Sequence, residues 1–580
     1  MSNKIIDFRA RYEDWIENDF FDEQTTIELE SIKDDIKEIE DRFYQDLNFG
    51  TAGLRGKIGA GTNRMNKYIV ARATQGLAEV IKREGKKAME MGVVIAYDNR
   101  HFSPEFSMTA ALTLCANGIK TYLFESLRST PELSYAVRKL KTISGIVVTA
   151  SHNPKEYNGY KVYWEEGSQI LSETAKNITK NILAISDYSS IPTISEEKAL
   201  EKGLLVMVGK ELDDAYIKDT KNLSLRDSGI DKDIKIVYTP LNGAGNVPVR
   251  RILRERGFTN VFVVKEQENP DPNFTTVKFP NPEDTRAFEY SERLGKKIDA
   301  DILIATDPDS DRLAVEIKNK EGGYTPLNGN QTGVLLTEYV LSTMAELNTI
   351  PKNGAIVKSI VTGDLSKEIA THYNVKTFDV LTGFKNIFAL PNIWDNTKEY
   401  SFILGYEESI GFCIGDKVRD KDAVNAAMFL AEAAAYYKAK NLTLLDVLNN
   451  IFKKYGYYKE ELVTFVLEGK AGQERIDRMM TQYRDVFPKS IGKSELLTYI
   501  DYNSRVSRDI KTGKESKIDI DKTNALKFKF SNGLWYALRP SGTEPKIKLY
   551  LYTKGETEEV ATGNLDKMKE MILKILNGIE

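Results

Sequence analysis

Cysteine is almost missing from this chain: two residues, Cys115 and Cys413, in 580. Two thiols cannot build a disulfide framework, and each lies in an apolar setting that suits a small buried side chain. That usage fits a reducing cytoplasm. Histidine is equally sparse, and His101, His152 and His372 share no zinc-ligand spacing with the cysteines. No apolar run approaches the ~18 residues of a membrane span, and the opening MSNKIIDFRARYEDW lacks the apolar core of a signal peptide. The most apolar helical stretch, 426–437, contains Glu432 and reads as a core-packing helix. Net charge is −4, so there is no basic field to attract nucleic acid or an anionic membrane. Short-period repeats and low-complexity tracts are absent as well.

What is present is the composition of a soluble globular protein, 41% hydrophobic and 29% charged. At roughly 100–200 residues per domain, the length predicts about three to five domains. Residues 12–47 have helical spacing and read as an N-terminal arm. Short apolar runs follow: 92–97 (GVVIAY), 145–149 (GIVVT), 234–238 (IKIVY), 301–306 (DILIAT), 355–361 (AIVKSIV) and 401–404 (SFIL). Such runs suit strands buried on both faces of α/β sheets. Several end in polar or Gly-rich loops: YDNR, TASHNP, TPLNGAGN, TDPDSDR and GYEESIG. Ligands collect beyond the carboxyl ends of such strands. The last part differs, because 526–530, 534–538 and 546–552 show period-two alternation and a helical pattern fills 558–576. Polar stretches at 186–199, 318–323 and 438–442 are the expected linkers.

Asp307, Asp309 and Asp311, in DPDSDR, form the strongest motif. Three carboxylates at alternate positions repel one another unless a cation neutralises them, and hard oxygen ligands suit Mg²⁺. An EF-hand fits poorly, with Arg312 at the sixth position and Lys318 at the twelfth. A phosphatase loop of the form Asp-x-Asp-x-Thr fits poorly too, since Asp311 holds the last place. Arg312 is placed to grip a phosphate. In RPSGTEP, Arg539 with Ser541, Gly542 and Thr543 would cradle a phosphate or form a simple turn. GTAGLRG sets Arg55 among three glycines, and neither a P-loop nor a dinucleotide fingerprint is found. Ser151 and His152 are adjacent in TASHNP; neighbours on an extended chain point opposite ways, so His152 is not an obvious base for Ser151. No G-x-S-x-G elbow surrounds the serine. A phosphoserine beside a metal held by the Asp cluster makes chemical sense instead.

In combination, TASHNP, DPDSDR, GYEESIG and RPSGTEP, in this order, resemble the α-D-phosphohexomutase family over nearly the whole chain. The arm with EIEDRFYQDLNFGTAGLRG is similar to the branch of larger phosphoglucomutases that includes phosphopentomutases and glucose-1,6-bisphosphate synthases. The resemblance implies an α/β protein of four domains around a central cleft: three related α/β domains and a C-terminal α+β domain. Expected boundaries are 1–200, 201–320, 321–445 and 446–580. It implies that Ser151 carries the phosphoryl group and, with Asp307, Asp309 and Asp311, holds Mg²⁺. Arg55 and Arg312 would stabilise the transferring group. Lys161 matches a family lysine placed for acid–base work, with His152 the other candidate. Thr382, Gly383 and Lys385 would read substrate orientation, Glu407 and Ser409 the sugar hydroxyls. Lys421, Arg539, Ser541, Gly542 and Thr543 would hold the non-reacting phosphate. The implied reaction interconverts glucose 1-phosphate and glucose 6-phosphate through glucose 1,6-bisphosphate. Small sugar phosphates would be the partners, in the cytoplasm, with no nucleic acid or membrane and as a monomer or a dimer. Two positions depart from the family pattern: Pro308 replaces a common Gly, and Phe412 follows Gly411 where mannose-type members often end in Gly-His, which favours glucose. A pentose or mannose phosphate on the same scaffold, a metal-dependent phosphatase and a non-enzymatic sugar-phosphate binder are the alternatives.

Overall fold

A computed structural model describes residues 7–467, 469–541 and 546–579. The expected arm consists of three short helices, Phe8–Glu17, Glu23–Glu30 and Ile36–Phe43. Each begins at an aspartate, Asp7, Asp22 and Asp35, whose carboxylate accepts first-turn N–H groups. Trp15, Phe21, Leu29, Ile39 and Phe43 form a small core of their own with Tyr68. The arm is thereby packed onto the first α/β domain.

Three sheets follow the same plan. In the first, Ser144–Val148, Val93–Tyr97, Thr121–Phe124 and Leu205–Val208 run parallel, and Tyr157–Trp164 returns antiparallel beside Ser144–Val148, with Gly53–Lys57 at the edge. In the second, Val261–Val263, Ile236–Thr239 and Ile302–Thr306 are parallel, and Leu313–Lys318 returns antiparallel. In the third, Lys376–Val380, Gly354–Ser359 and Ser401–Glu407 are parallel, and Gly411–Ile414 returns antiparallel. In each sheet a parallel strand therefore leads into a short loop and doubles back. Those three loops contain Ser151, the three aspartates, and Glu408 and Ser409. The central strands are buried along nearly their whole length, as the unbroken apolar runs require.

The C-terminal sheet is antiparallel throughout, with Tyr457–Val466, Lys546–Gly555, Trp535–Pro540, Leu526–Phe530 and Ser494–Asp501 as its main strands. Helices Gly469–Asp485 and Glu558–Asn577 accompany it. The second half of its first strand, 461–466, alternates half-buried and exposed residues, the period-two pattern of a sheet covered on one face.

Two sequence expectations need correction. Residues 318–323 are not a linker: they form the turn between antiparallel strands Leu313–Lys318 and Tyr324–Leu327, closed by Asn319 N–H donating to the Gly323 carbonyl at 3.0 Å. The first sheet extends past position 200, where Leu205–Val208 pairs parallel with Thr121–Phe124, and the second past 320, where Tyr324–Leu327 pairs antiparallel with Leu313–Lys318. Helix Ala423–Lys438 is buried almost end to end between the second and third domains. Its Glu432 does more than interrupt an apolar run: it accepts from Arg256 at 2.7 Å, the Tyr339 hydroxyl at 2.8 Å and Leu225 N–H at 3.0 Å. A buried carboxylate so fully paired pins three segments together.

Candidate active site

Strand Ser144–Val148 ends in a turn, and Ser151 takes the left-handed conformation, φ 54°. Ser151 N–H donates to Thr149 Oγ1 at 2.8 Å, and that hydroxyl donates to Asp98 at 2.6 Å. The Arg100 guanidinium donates to four loop carbonyls: Ser151 (2.5 Å), Asn153 (2.6 Å), Pro154 (2.8 Å) and Tyr157 (3.0 Å). The loop is held from beneath, and the serine side chain is turned toward the second domain. Its hydroxyl donates to Asp307 Oδ2 at 2.9 Å.

The left-handed turn corrects the reading of Ser151 and His152. Neighbours point opposite ways only on an extended chain. Here His152 Nδ1 lies 3.2 Å from Ser151 Oγ. Burial, then the charges of Arg312 and Arg55, hold the imidazole well below its usual pKa, so the ring is neutral.

The acidic loop is pinned by its own backbone. Asp307 Oδ1 accepts from the N–H groups of Asp311 (3.1 Å) and Arg312 (3.0 Å). Asp309 Oδ2 accepts from the Thr130 hydroxyl and the Lys161 ammonium, both at 2.8 Å. Glycines of TPLNGAGN permit the close packing behind it: a Cβ on Gly243 would come 2.4 Å from Pro308 Cα, and one on Gly245 2.7 Å from Ser310 Oγ. Ligand atoms of Asp307, Asp309 and Asp311 lie within 4.8 Å of one another, and all three residues are buried. Oδ1 of Asp309 and Oδ1 of Asp311 are buried without a hydrogen-bond partner. Burial, then the charges of Asp309 and Asp311, push the Asp307 carboxyl well above its usual range. Paired carboxylates with orphaned oxygens fit a hard divalent cation, which would satisfy the oxygens and relieve the repulsion.

Lys161 lies 2.8 Å from Asp309 and 3.6 Å from Asp311. Burial opposes its charge, but the two aspartates outweigh burial, and its pKa is raised. Arg55 reaches the Asn153 side chain at 3.4 Å. Arg312 faces Glu283 at 3.8 Å.

A cavity of about 430 Å³ opens beside these loops. His152, Arg312, Thr382, Glu407, Ser409 and Arg539 all line it, drawn from all four domains. Glu407 accepts Gly383 N–H at 2.6 Å, and Gly383, at φ 105°, makes the turn that aims it. Lys385 sits apart from the cavity lining and donates to the Thr51 carbonyl at 3.1 Å, tying the third domain to GTAGLRG. Lys421 also departs from its expected place with the non-reacting phosphate. Its ammonium lies 3.2 Å from Asp311 and 3.3 Å from Asp420, because the buried carboxylates are the strongest attraction within reach. Ser541 N–H closes the strand pair by donating to Lys546 at 2.7 Å, while Gly542 and Thr543 lie outside the described residues.

Sequence reasoning missed Thr130, Asp98 and Arg100. YDNR stood out as a polar strand end, but a lone Asp and Arg carry no signature until the serine loop is seen wrapped around them.

Models of four consecutive domains match the chain. They are described as phosphoglucomutase/phosphomannomutase alpha/beta/alpha domains I, II and III, at 46–189, 214–322 and 328–455, and the C-terminal domain, at 502–566. The chain belongs to the α-D-phosphohexomutase family. A phosphoglucomutase of Staphylococcus epidermidis is 37% identical over 95% of this chain and 96% of its own. One from Staphylococcus aureus is 36% identical over 94% of each. The fold of this phosphohexomutase matches solved structures of pp63/parafusin (phosphoglucomutase) from Paramecium (TM-score 0.68, 18% identity, 92% and 95% covered) and of a phosphoglucomutase/phosphomannomutase family protein from Burkholderia thailandensis (TM-score 0.65, 19% identity, 92% and 98% covered). Among the described residues no helix is long and apolar enough to cross a membrane.

Proposed function

We propose that this phosphohexomutase is a cytoplasmic phosphoglucomutase that works through a phosphoserine at Ser151. The carrying observation is the Ser151 hydroxyl, 2.9 Å from Asp307 in a buried carboxylate triad, at the edge of a cavity supplied with Arg312, Glu407, Ser409 and Arg539. The name borne by relatives 36–37% identical across the chain supports glucose as the sugar.

In this reading phospho-Ser151 gives its phosphoryl group to the 6-hydroxyl of glucose 1-phosphate. Glucose 1,6-bisphosphate turns over in the cleft and returns its 1-phosphate to the serine. Asp307, Asp309 and Asp311, with the serine phosphate, would hold Mg²⁺, which supplies charge neutralisation at the transferring group. Arg55 and Arg312 add donors on the same group. His152 lines the cavity with a neutral ring, placed to take the hydroxyl proton, and the Lys161 ammonium offers the complementary acid. Glu407 and Ser409 orient the sugar, with Thr382 and the Gly383 turn setting its direction. Arg539 and RPSGTEP hold the phosphate that is not reacting. Closure of the cleft must exclude water, or the phosphoserine is lost to hydrolysis.

The deciding experiment uses the Ser151→Ala chain. We expect peptide mass spectrometry to find phosphate on Ser151 after incubation with glucose 1,6-bisphosphate, and Ser151→Ala to lose conversion of glucose 1-phosphate. Undiminished phosphate release by Ser151→Ala would show hydrolysis through an aspartate and sink the mutase. Parallel assays on mannose and ribose 1-phosphates test the sugar.

A further inference from the structure

The serine loop and the metal loop belong to different domains, yet they must stay in register to within a fraction of an ångström. We infer that residues 267–277 of the second domain are a strap that fixes this register, with Phe274 and Arg100 as its positioning residues.

One end of the strap is tied behind the metal loop. The Asn242 side chain donates to the Asn269 carbonyl at 2.7 Å, and Asn242 N–H donates to the Gln267 carbonyl at 2.9 Å. Gln267 is fully buried and accepts from the Thr239 hydroxyl at 2.6 Å. The next residues pack on the metal loop, where Ala244 N–H donates to the Pro308 carbonyl at 2.7 Å and Gly243 touches Pro308.

The other end crosses to the first domain. Asn99 donates to the Asp271 carbonyl at 3.1 Å, and His101 Nε2 meets Asn273 Oδ1 at 3.0 Å. Between those two clasps lies Arg100, which holds the four carbonyls of the serine loop. The Phe274 ring covers its guanidinium, 5.2 Å from the ring centre. Both are 2% exposed. Along residues 98–101, Asp98 and Arg100 therefore serve the serine loop while Asn99 and His101 serve the strap.

Phe274 holds this place at a cost. Its φ is 48°, uncommon for a bulky side chain. Asp271 maintains the bend, accepting from Asn273 N–H (2.9 Å), Thr275 N–H (2.9 Å) and the Thr275 hydroxyl (2.8 Å). Strain of this kind persists only where the surroundings over-determine it. What it secures is an aromatic cover that keeps water from competing for a guanidinium already committed to four acceptors.

The test is Phe274→Leu in the full chain, with two readouts. Hydrogen exchange, read by mass spectrometry without substrate, should rise about tenfold or more at the amides of 150–157 while the strands of the first sheet stay protected. The turnover readout rests on the proposed mutase reaction: kcat should fall about 10- to 100-fold with KM nearly unchanged, as expected of misplacement without lost binding. Unchanged exchange at 150–157 overturns the strap, and so does a rise spread evenly over the first domain, which would mean plain destabilisation. If Phe274→Leu does not fold, Asn99→Ala cuts one clasp and is judged by the same two criteria. A wild-type chain inactive on glucose 1-phosphate, with the exchange effect intact, would refute the mutase reading and leave the strap standing.

Discussion

The two ends of the cleft are built on opposite terms. At the serine end Ser151, Asp307, Asp309 and Asp311 are at most 3% exposed, and the lysines beside them are already in ion pairs with the aspartates. At the far end Arg539 and Lys548 are only half-buried and face an open cavity with Glu460 and Glu461. The first arrangement is buried and closely paired, which suits the proposed phosphoryl transfer to a sugar rather than to water. The second leaves room, as the proposed turnover of a bisphosphate would demand. Chemistry and reorientation need different surroundings, and the fold supplies them from different domains.

The comparison breaks most visibly at the serine end. Asp309→Asn removes a proposed metal ligand and the carboxylate nearest Lys161. We expect kcat/KM to fall ~10³-fold in steady-state assays, the scale seen when a preorganised charge is removed from a transition state. A loss below tenfold would mean that this end is not the reacting one. At the far end Arg539→Gln should act mainly on binding: KM up about 10- to 100-fold, with kcat within a few-fold, since the proposed contact would serve a phosphate that does not react. A fall in kcat with KM unchanged would merge the two ends.

How much of this was legible in the sequence depended on whether the signal was local. Strands 92–97, 145–149 and 301–306 announced themselves as apolar runs ending in polar loops, and the structure places strands within one or two residues of them. The aspartate triad was legible because three carboxylates at alternate positions have few other uses. The resemblance to a family supplied the other candidate positions, of which His152, Arg312, Thr382, Glu407, Ser409 and Arg539 line one cavity. Arg100 and Thr130 were not legible, since their meaning lies in loops met 51 and 179 residues later. Lys421 was misplaced for a related reason: a motif fixes a backbone position, whereas a long flexible side chain goes to whichever charge is nearest.

The smallest expected effect sharpens the view of the far end. Lys527 is buried there, donates to the Ile360 carbonyl at 2.6 Å and lies 3.8 Å from the centre of the Trp535 ring, which lines the cavity. Burial, only partly offset by Asp364, lowers its pKa to about 7. The unfolded chain, with an ordinary lysine near 10.4, then binds more protons between those values, so stability rises with pH from about 7 upward. Denaturant titrations at pH 7 and pH 9 should differ by about 1–3 kcal/mol in the wild type. Lys527→Met should remove most of that difference; a slope that survives would assign it to other groups.

The left-handed turn at Ser151 also narrows the evolutionary alphabet at the proposed phosphoryl carrier. Threonine accepts phosphate as readily as serine in chemical terms, but a β-branched side chain is a genuine outlier at φ 54°. Glycine visits that region freely. The backbone thus admits a residue that cannot be phosphorylated more easily than it admits threonine, and of the two aliphatic hydroxyl residues serine alone takes this turn without the penalty of a β-branch.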